Sequence, residues 1–331
     1  MRFLITSNTL EPGGAERQRV LLANELARRG HATTLQLLQA GGELLRTVSA
    51  DVHVLHRSFR APLPPCDLVV TGTTRTETAV GVQWRLRGKG WIAAVHNPVG
   101  PGAPVLPRDV SMALRLAHRR VALTASHAAL VETTLRVRCT DVISNGVSGE
   151  TFKRVALERA QRSASDYEYD LGFLGRLSNQ HKGLDTLLAA LASPALAGRR
   201  VLIAGTGPDE ALIRRSVLDL GVADRVVLAG AIDPERLFRE CLVVAMPSRY
   251  EGQPMALLEA LAAKVPVVAT DFSAACDYLS PRRRVSVGDA PALACALAEV
   301  LLDPVAEQVS LPSVYDMVSA YELLAAELMP S

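Results

Sequence analysis

The 331-residue chain carries 36 Lys and Arg against 34 Asp and Glu, and 49% of its residues are hydrophobic while only 4% are aromatic. That is more apolar material than one ordinary core needs, and it suits two α/β domains with aliphatic interiors. The near-neutral balance, the lack of any apolar run approaching the roughly 20 residues of a membrane helix, and five scattered cysteines without C-x-x-C spacing exclude a nucleic-acid binder, a membrane-spanning chain and a disulfide scaffold.

Strand and helix signals alternate from the start. RFLITS is a β-branched, apolar run, so the opening reads as a strand and not as a leader, and a cytoplasmic location is expected. After the loop NTLEPGG comes the amphipathic stretch AERQRVLLANELARRG, with Val20, Leu21, Asn24 and Leu26 bracketing its inner face and Gly30 closing it. ATTLQLLQ, VHVLH, DLVVTG and WIAAVH follow as strands and MALRLAHRR as a helix. VALTAS is a further strand, HAALVETTL its helix and DVISNGV the last strand-turn of this half. From about 150 to 168 the charged stretch FKRVALERAQRSASDYEYD breaks the pattern and reads as a linker.

A second unit starts at YDLGFLG and runs through GLDTLLAALA, RVLIAG, PDEALIRRSVLDLG, RVVLAG and DPERLFREC, where Asp233 caps a helix opened by Pro234. LVVAMPS, PMALLEALAAK, VPVVATD and APALACALAEVLLD complete it, and SVYDMVSAYELLAAEL ends the chain as a helix. Such alternation with short connectors implies parallel sheets covered on both faces, so domains are expected at residues 1–150 and 166–312.

In such sheets ligands sit beyond the carboxyl ends of the strands, which directs attention to the loops there. After the first strand, Gly13 and Gly14 in EPGGAER allow close approach of a ligand just before a helix. No G-x-G-x-x-G is present and no acid ends the second strand, which argues against a dinucleotide site. In GFLGRLSNQHKGLDTLL, Arg176 and Lys182 lie between a strand and a helix, as a diphosphate needs; two solvated cations look the same. In MPSRYEGQPMALLEALAAKVPVVATD, Glu251 and Glu259 stand eight apart, with Gly252 and Gln253 following the first and Pro254 opening a helix. The pre-helix loop offers backbone N–H groups to an anion, and Glu259 can accept hydrogen bonds from a diol such as a ribose. By themselves the two glutamates also fit an ordinary surface.

Together, GGAER, GRLSNQHKG, GTGPDE, MPSRYEGQPMALLEA and PVVATD resemble family 4 of the retaining glycosyltransferases, with the E-x7-E stretch the most specific part. The resemblance covers nearly the whole chain. It implies a GT-B fold, two doubly wound Rossmann-like domains facing a cleft, with the acceptor on the first domain and the nucleotide sugar on the second. The helix at 314–329 would cross back to the first domain. Arg176 and Lys182 would neutralise the donor diphosphate, Glu259 would hold the ribose hydroxyls, and Glu251 would sit at the transferred hexose. Backbone amides from Gln253 to Ala256, Met255 included and Pro254 excepted, would reach the distal phosphate. Gly13 and Gly14 would border acceptor and phosphates, and His96 would hydrogen-bond the donor sugar or the reacting face.

The chain departs from the family in two places: FSAACDYLS stands where a GG-x-PE stretch is usual, and Asn97 instead of an acid follows His96.

The implied reaction is transfer of a hexose from a nucleotide diphosphate sugar, with a UDP-sugar favoured over GDP- and dTDP-sugars, to a carbohydrate, lipid-linked or small-molecule (antibiotic-type) acceptor, with no cofactor and no metal. Retention would come from attack on the face of departure, the leaving phosphate taking the acceptor's proton. Two alternatives are a sugar-nucleotide-binding protein without transfer and a UDP-sugar epimerase of the same shape. Residues 1–150 hold 18 Lys and Arg against 11 Asp and Glu, a surplus of 7 that is either a solvated face or a peripheral contact with anionic membrane at its inner face. Arg75, Arg85, Arg87 and Lys89 around Trp84 are the residues expected to make that contact.

Overall fold

The computed structural model describes residues 1–39, 41–58, 64–99 and 102–329. Met1–Gly100, Pro104–Gly146 and Pro312–Ser331 form one compact unit, and Val147–Leu311 is the body of the other.

The first unit is built on β1 (Arg2–Ser7), β2 (Ala32–Leu37), β3 (His53–His56), β4 (Leu68–Thr71), β5 (Gly90–Ala94), β6 (Arg119–Ala122) and β7 (Asp141–Val142). They form one parallel sheet in the order β3-β2-β1-β4-β5-β6-β7. The central strands β4 and β5 are buried at every position, as a parallel sheet covered on both faces requires. Its helices are α1 (Gly14–Arg28), α2 (Arg75–Leu86), α3 (Arg108–Leu114) and α4 (Ala125–Leu135).

The second unit has β8 (Tyr169–Leu174), β9 (Val201–Ala204), β10 (Val226–Gly230), β11 (Cys241–Met246), β12 (Val267–Thr270) and β13 (Arg284–Val285), parallel in the order β10-β9-β8-β11-β12-β13. Around them lie α5 (Gly149–Arg159), α6 (Asn179–Lys182), α7 (Leu184–Leu191), α8 (Glu210–Asp219), α9 (Pro234–Glu240), α10 (Met255–Ala262), α11 (Ser273–Tyr278) and α12 (Ala290–Leu302). The chain returns to the first unit in α13 (Val314–Leu328), which a Ser313–Asp316 capping box starts. There Met317, Val318 and Tyr321 join the core that α1 lines, and Arg29 lies 4.0 Å over the Tyr315 ring.

Several expectations need correction. The stretch read as a linker holds α5, because Phe152 and Val155 fall one helical turn apart and bury themselves in the second unit's core. Helix α2 has no counterpart in the sequence reading; a Thr74–Glu77 capping box starts it and Trp84 is buried on its inner face. Helix α3 stops at Leu114, and Arg119 and Arg120 already belong to β6. On α1 the core takes Leu22 and Ala23, while Leu21 and Asn24 stay half-buried. The segment FSAACDYLS contains the short helix α11. Scattered cysteines are expected to pack as small buried apolar groups; Cys66 and Cys241 do, while Cys276 and Cys295 are exposed.

Candidate active site

The strand order of the second unit reverses between β8 and β11, so the loops after these two strands flank the switch point where doubly wound sheets bind ligands. Backbone packing holds the loops closely. Gly205, at φ +137°, has no room for a Cβ, which would meet Gly175 O at 1.8 Å. Gly183, at φ +60°, brings the end of α6 against the second loop so tightly that a Cβ would meet Pro247 O at 2.1 Å. Arg249 locks the same junction. Its guanidinium forms a bidentate pair with Asp185 at 2.9 and 2.7 Å and donates to Asn179 O at 2.8 Å.

This junction delivers Lys182 to Glu251. The Lys182 stem passes over Gly175, with Cε 3.4 Å from where a Cβ would stand, and its ammonium pairs with Glu251 Oε1. Ser248 Oγ donates to the same oxygen at 2.9 Å, and His181 Nε2 lies 3.4 Å from Oε2. The His181 ring stacks on Tyr250 with centroids 4.7 Å apart. Burial pushes the Glu251 carboxyl up, but Lys182 and His181 outweigh it and hold it at about 2. Glu251 is therefore a charged carboxylate in a dry setting.

Arg176 differs: it is exposed, and its guanidinium makes no hydrogen bond or ion pair among the described residues. A guanidinium without such partners, on the loop that follows β8, leaves its donors available to an anion.

Helix α10 begins right after this loop, with Pro254 at its N-cap and Ala256 in its first turn, where backbone N–H groups lack intrahelical acceptors. Gly252, Gln253 and Met255 are buried, and Gln253 Nε2 donates to Tyr278 Oη at 2.9 Å. Glu259, inside α10, is buried. At the departure from the family, Ser273 Oγ takes a structural part, donating to Glu251 O at 3.0 Å and Gly252 O at 2.9 Å. The segment without the usual glycines thus latches the glutamate loop by a side chain.

The other candidates lie in the first unit. Gly13 is the extended N-cap of α1, where a Cβ would meet the Glu16 carboxylate, and Gly14 is the first helical residue, not a loop residue. His96 follows β5 and lines a small cavity of about 20 Å³ with Arg19, Asn145 and Tyr321, room for about one water. Burial, then Arg19 and His127, bring its pKa down to about 3, so the imidazole is neutral. Arg19 reaches Glu77 at 3.1 Å, and Gly72 makes space for that pair.

Sequence reasoning missed His181, Ser248, Arg249, Asp185 and Ser273. His181 and Arg249 stand next to or within two residues of Lys182 and Glu251, a signal of proximity only. Asp185 and Ser273 carry no local signal, because they act through a loop contact that the fold creates. Among the described residues no three His, Cys, Asp or Glu side chains are grouped to hold a metal ion, and no helix is long and apolar enough to cross a membrane.

With this geometry in hand, comparison with known proteins is informative. Residues 168–303 match the family model of Glycosyl transferases group 1. A 2-deoxystreptamine glucosyltransferase of Streptomyces kanamyceticus is 31% identical over 142 residues, 40% of this chain. The match spans about a third of that relative's length, 36%. A lipopolysaccharide core biosynthesis glycosyltransferase of Rhizobium meliloti is 29% identical over 307 residues, covering 88% of this chain and 86% of that one. Among solved structures, Anabaena HepE in complex with UDP superposes with a TM-score of 0.74 at 19% identity, over 99% of this chain and 96% of that one. The two parallel-sheet α/β domains are those of the GT-B fold.

Proposed function

We propose that the chain is a retaining hexosyltransferase that takes its sugar from a nucleotide diphosphate, a UDP-hexose in the first instance. The acceptor is a hydroxyl of a carbohydrate, lipid-linked or small-molecule compound. The observation that carries this reading is the Lys182–Glu251 pair at the second unit's switch point, with Arg176, unpaired among the described residues, on the loop after β8. Support comes from the glycosyl transferase match over the same residues, from a relative named as a glucosyltransferase, and from the UDP bound to Anabaena HepE.

In this reading Arg176 and Lys182 neutralise the diphosphate as it leaves, and amides of the first turn of α10 add to that field. Such donors act most strongly in the transition state, where charge on the leaving oxygen is greatest. Glu259 holds the ribose and Glu251 the hydroxyls of the hexose. The acceptor oxygen attacks the anomeric carbon on the face that the diphosphate leaves, and its proton passes to the departing phosphate oxygen. His96 contributes as a neutral imidazole able to donate or accept a hydrogen bond. Charge is handled by cations and amides throughout, so transfer in this scheme needs no divalent metal and survives EDTA.

A contact of the first unit with anionic membrane belongs to the same proposal, with changed residues. Trp84 is buried and Arg75 is paired with Asp109, so neither makes it. Exposed Leu86 and Leu116, with Arg85 and Arg115, line a cavity of about 340 Å³ and give the apolar and basic character such a contact requires.

The decisive experiment incubates the full chain with UDP-, GDP- and dTDP-hexoses and a panel of acceptors, following nucleotide release and the anomeric configuration of the product. Acceptor-dependent release with an unchanged anomeric centre supports the reading. Conversion of the sugar without acceptor marks an epimerase, and binding without release marks a non-catalytic module.

A further inference from the structure

At the amino ends of β8 and β11, opposite the switch-point loops of the same sheet, a second polar site opens. A cavity of about 210 Å³ is lined by Arg159, Arg162, Ser163, Tyr167, Leu242 and Lys264 among others, and none of the residues lining it is acidic. Arg159 is 7% exposed. Its Nη1 donates to Phe238 O at 2.5 Å and Cys241 O at 2.8 Å, and its Nη2 to Leu242 O at 2.8 Å. Its Nε–H is buried without a hydrogen bond, and among the described residues no carboxylate pairs with the guanidinium. Three carbonyls orient the group but bring no opposite charge, and a buried cation without a counter-ion is unfavourable.

The residues that line the cavity add further positive charge. Arg159 and Arg162 both face the Tyr167 ring, with guanidinium carbons 4.6 and 5.6 Å from its centroid. Arg162 otherwise donates to Arg239 O, and Lys264 to Gln308 Oε1 at 3.5 Å; among the described residues neither forms an ion pair, although Arg162 also helps to hold the Glu158 and Asp166 carboxyls below their usual range. Lys264 also sits at φ +55°, a conformation that favours glycine, yet a lysine is held there. The acid nearest in sequence, Asp166, is occupied by Ser163, whose N–H and Oγ it accepts at 2.7 and 2.8 Å. Three cations around one cavity, one of them buried, give the chemistry of an oxyanion site.

We infer that this cavity binds a phosphate group, either free or as the monoester of a small metabolite, independently of the loops at Arg176 and Lys182. Arg162 and Lys264 bind the anion directly, and Arg159 supplies fixed charge from the floor. The cavity is larger than one water needs by an order of magnitude, which leaves room for a phosphate and part of an attached group.

Calorimetric titration of the full chain at constant ionic strength tests this with two probes, inorganic phosphate and glycerol 3-phosphate. One site is expected, weakened about 10-fold or more in Arg162→Gln and in Lys264→Gln, and unchanged in Arg176→Ala. Tighter binding of glycerol 3-phosphate identifies an esterified ligand, and tighter binding of inorganic phosphate the free ion. Lys264→Gly relieves the backbone while removing the ammonium, so it serves if Lys264→Gln folds poorly. The proposal is overturned if the wild-type chain binds neither probe, if the double variant Arg162→Gln/Lys264→Gln binds as wild type does, or if Arg176→Ala abolishes binding.

Discussion

The two units share a plan and handle charge in opposite ways. Each sheet reverses its order beside its first strand, between β1 and β4 and between β8 and β11, and each places titratable groups there. In the first unit burial prevails: His96 is held neutral, its pKa near 3, with Arg19 and His127 adding to the effect. In the second, burial is overruled: Lys182 and His181 keep Glu251 ionised near 2. The lesson is that burial alone does not set a charge state. A partner brought within hydrogen-bond distance reverses it, and the second unit brings that partner, Lys182, from a different loop.

 Lys182 and Glu251 lie 69 residues apart in the chain, and only the packing of α6 against the loop after β11 joins them.

The sharpest test of that contrast sets Lys182 against Arg176. Lys182→Ala leaves Glu251 buried without its main partner, so a loss of about 3–5 kcal/mol in stability is expected alongside the loss of transfer. Arg176→Ala removes an exposed, unpaired group and leaves the melting temperature in place. Both weaken UDP by roughly 10- to 150-fold, the value of one charge-assisted hydrogen bond. Melting curves and UDP titrations of the two variants check this, and equal stability losses would break the contrast. In the same series, Glu251→Gln is expected to cut turnover while UDP affinity holds, and Glu259→Gln to weaken UDP with the ranking of donor sugars unchanged. If both glutamate variants lose UDP binding alike, the division of labour between them is wrong.

Next in size is Gly183→Ala. The left-handed φ and the close approach to Pro247 O together set a cost of roughly 1–3 kcal/mol. Because α6 then moves off the glutamate loop, turnover falls further than stability alone explains. Denaturant unfolding and initial rates measure the two effects separately, and a variant with wild-type values for both removes the junction from the argument.

Acid distinguishes the units more gently. The folded pKa of His96 lies below its ordinary 6.5, so its contribution to stability is whole above pH 6.5 and is lost progressively as pH falls toward 3. Glu251 is also depressed, from 4.5, so its contribution is whole above pH 4.5 and is lost as pH falls toward 2. Near pH 5 the first unit is therefore weakened on the order of 1–2 kcal/mol while the Glu251 contribution is intact. Hydrogen exchange at pH 7.5 and pH 5 is expected to show faster opening in the first unit, and His96→Asn to reduce the difference. Equal changes in both units would count against it.

The smallest expected effect concerns membrane contact. Leu86→Ser and Leu116→Ser are expected to reduce co-sedimentation with anionic vesicles at low salt by a few-fold, while variants at buried Trp84 act only through folding. Equal recovery in the supernatant with neutral and anionic vesicles, for the wild-type chain, retires the contact.

Local pattern alone determined most of the strands and the two-unit α/β plan. CLVVAM is apolar at every position and RFLITS has an apolar centre, Phe3 to Ile5, because parallel strands are buried on both faces, and that is legible without a structure. The loop charges Arg176, Lys182 and Glu251 were legible too, since they interrupt apolar runs at strand ends. Helix α5 was not: its charged outer face hid the Phe152 and Val155 stripe, and it forms because the second unit's core covers that stripe. Helix α2 likewise depends on the burial of Trp84 and on the capping box at Thr74. Tertiary structure alone decided which charges meet. Asp185 with Arg249, Ser273 with the Glu251 backbone, and Arg19 with Glu77 are long-range pairs. Their strength comes from desolvation and geometry, which no residue carries in its own neighbourhood of the sequence.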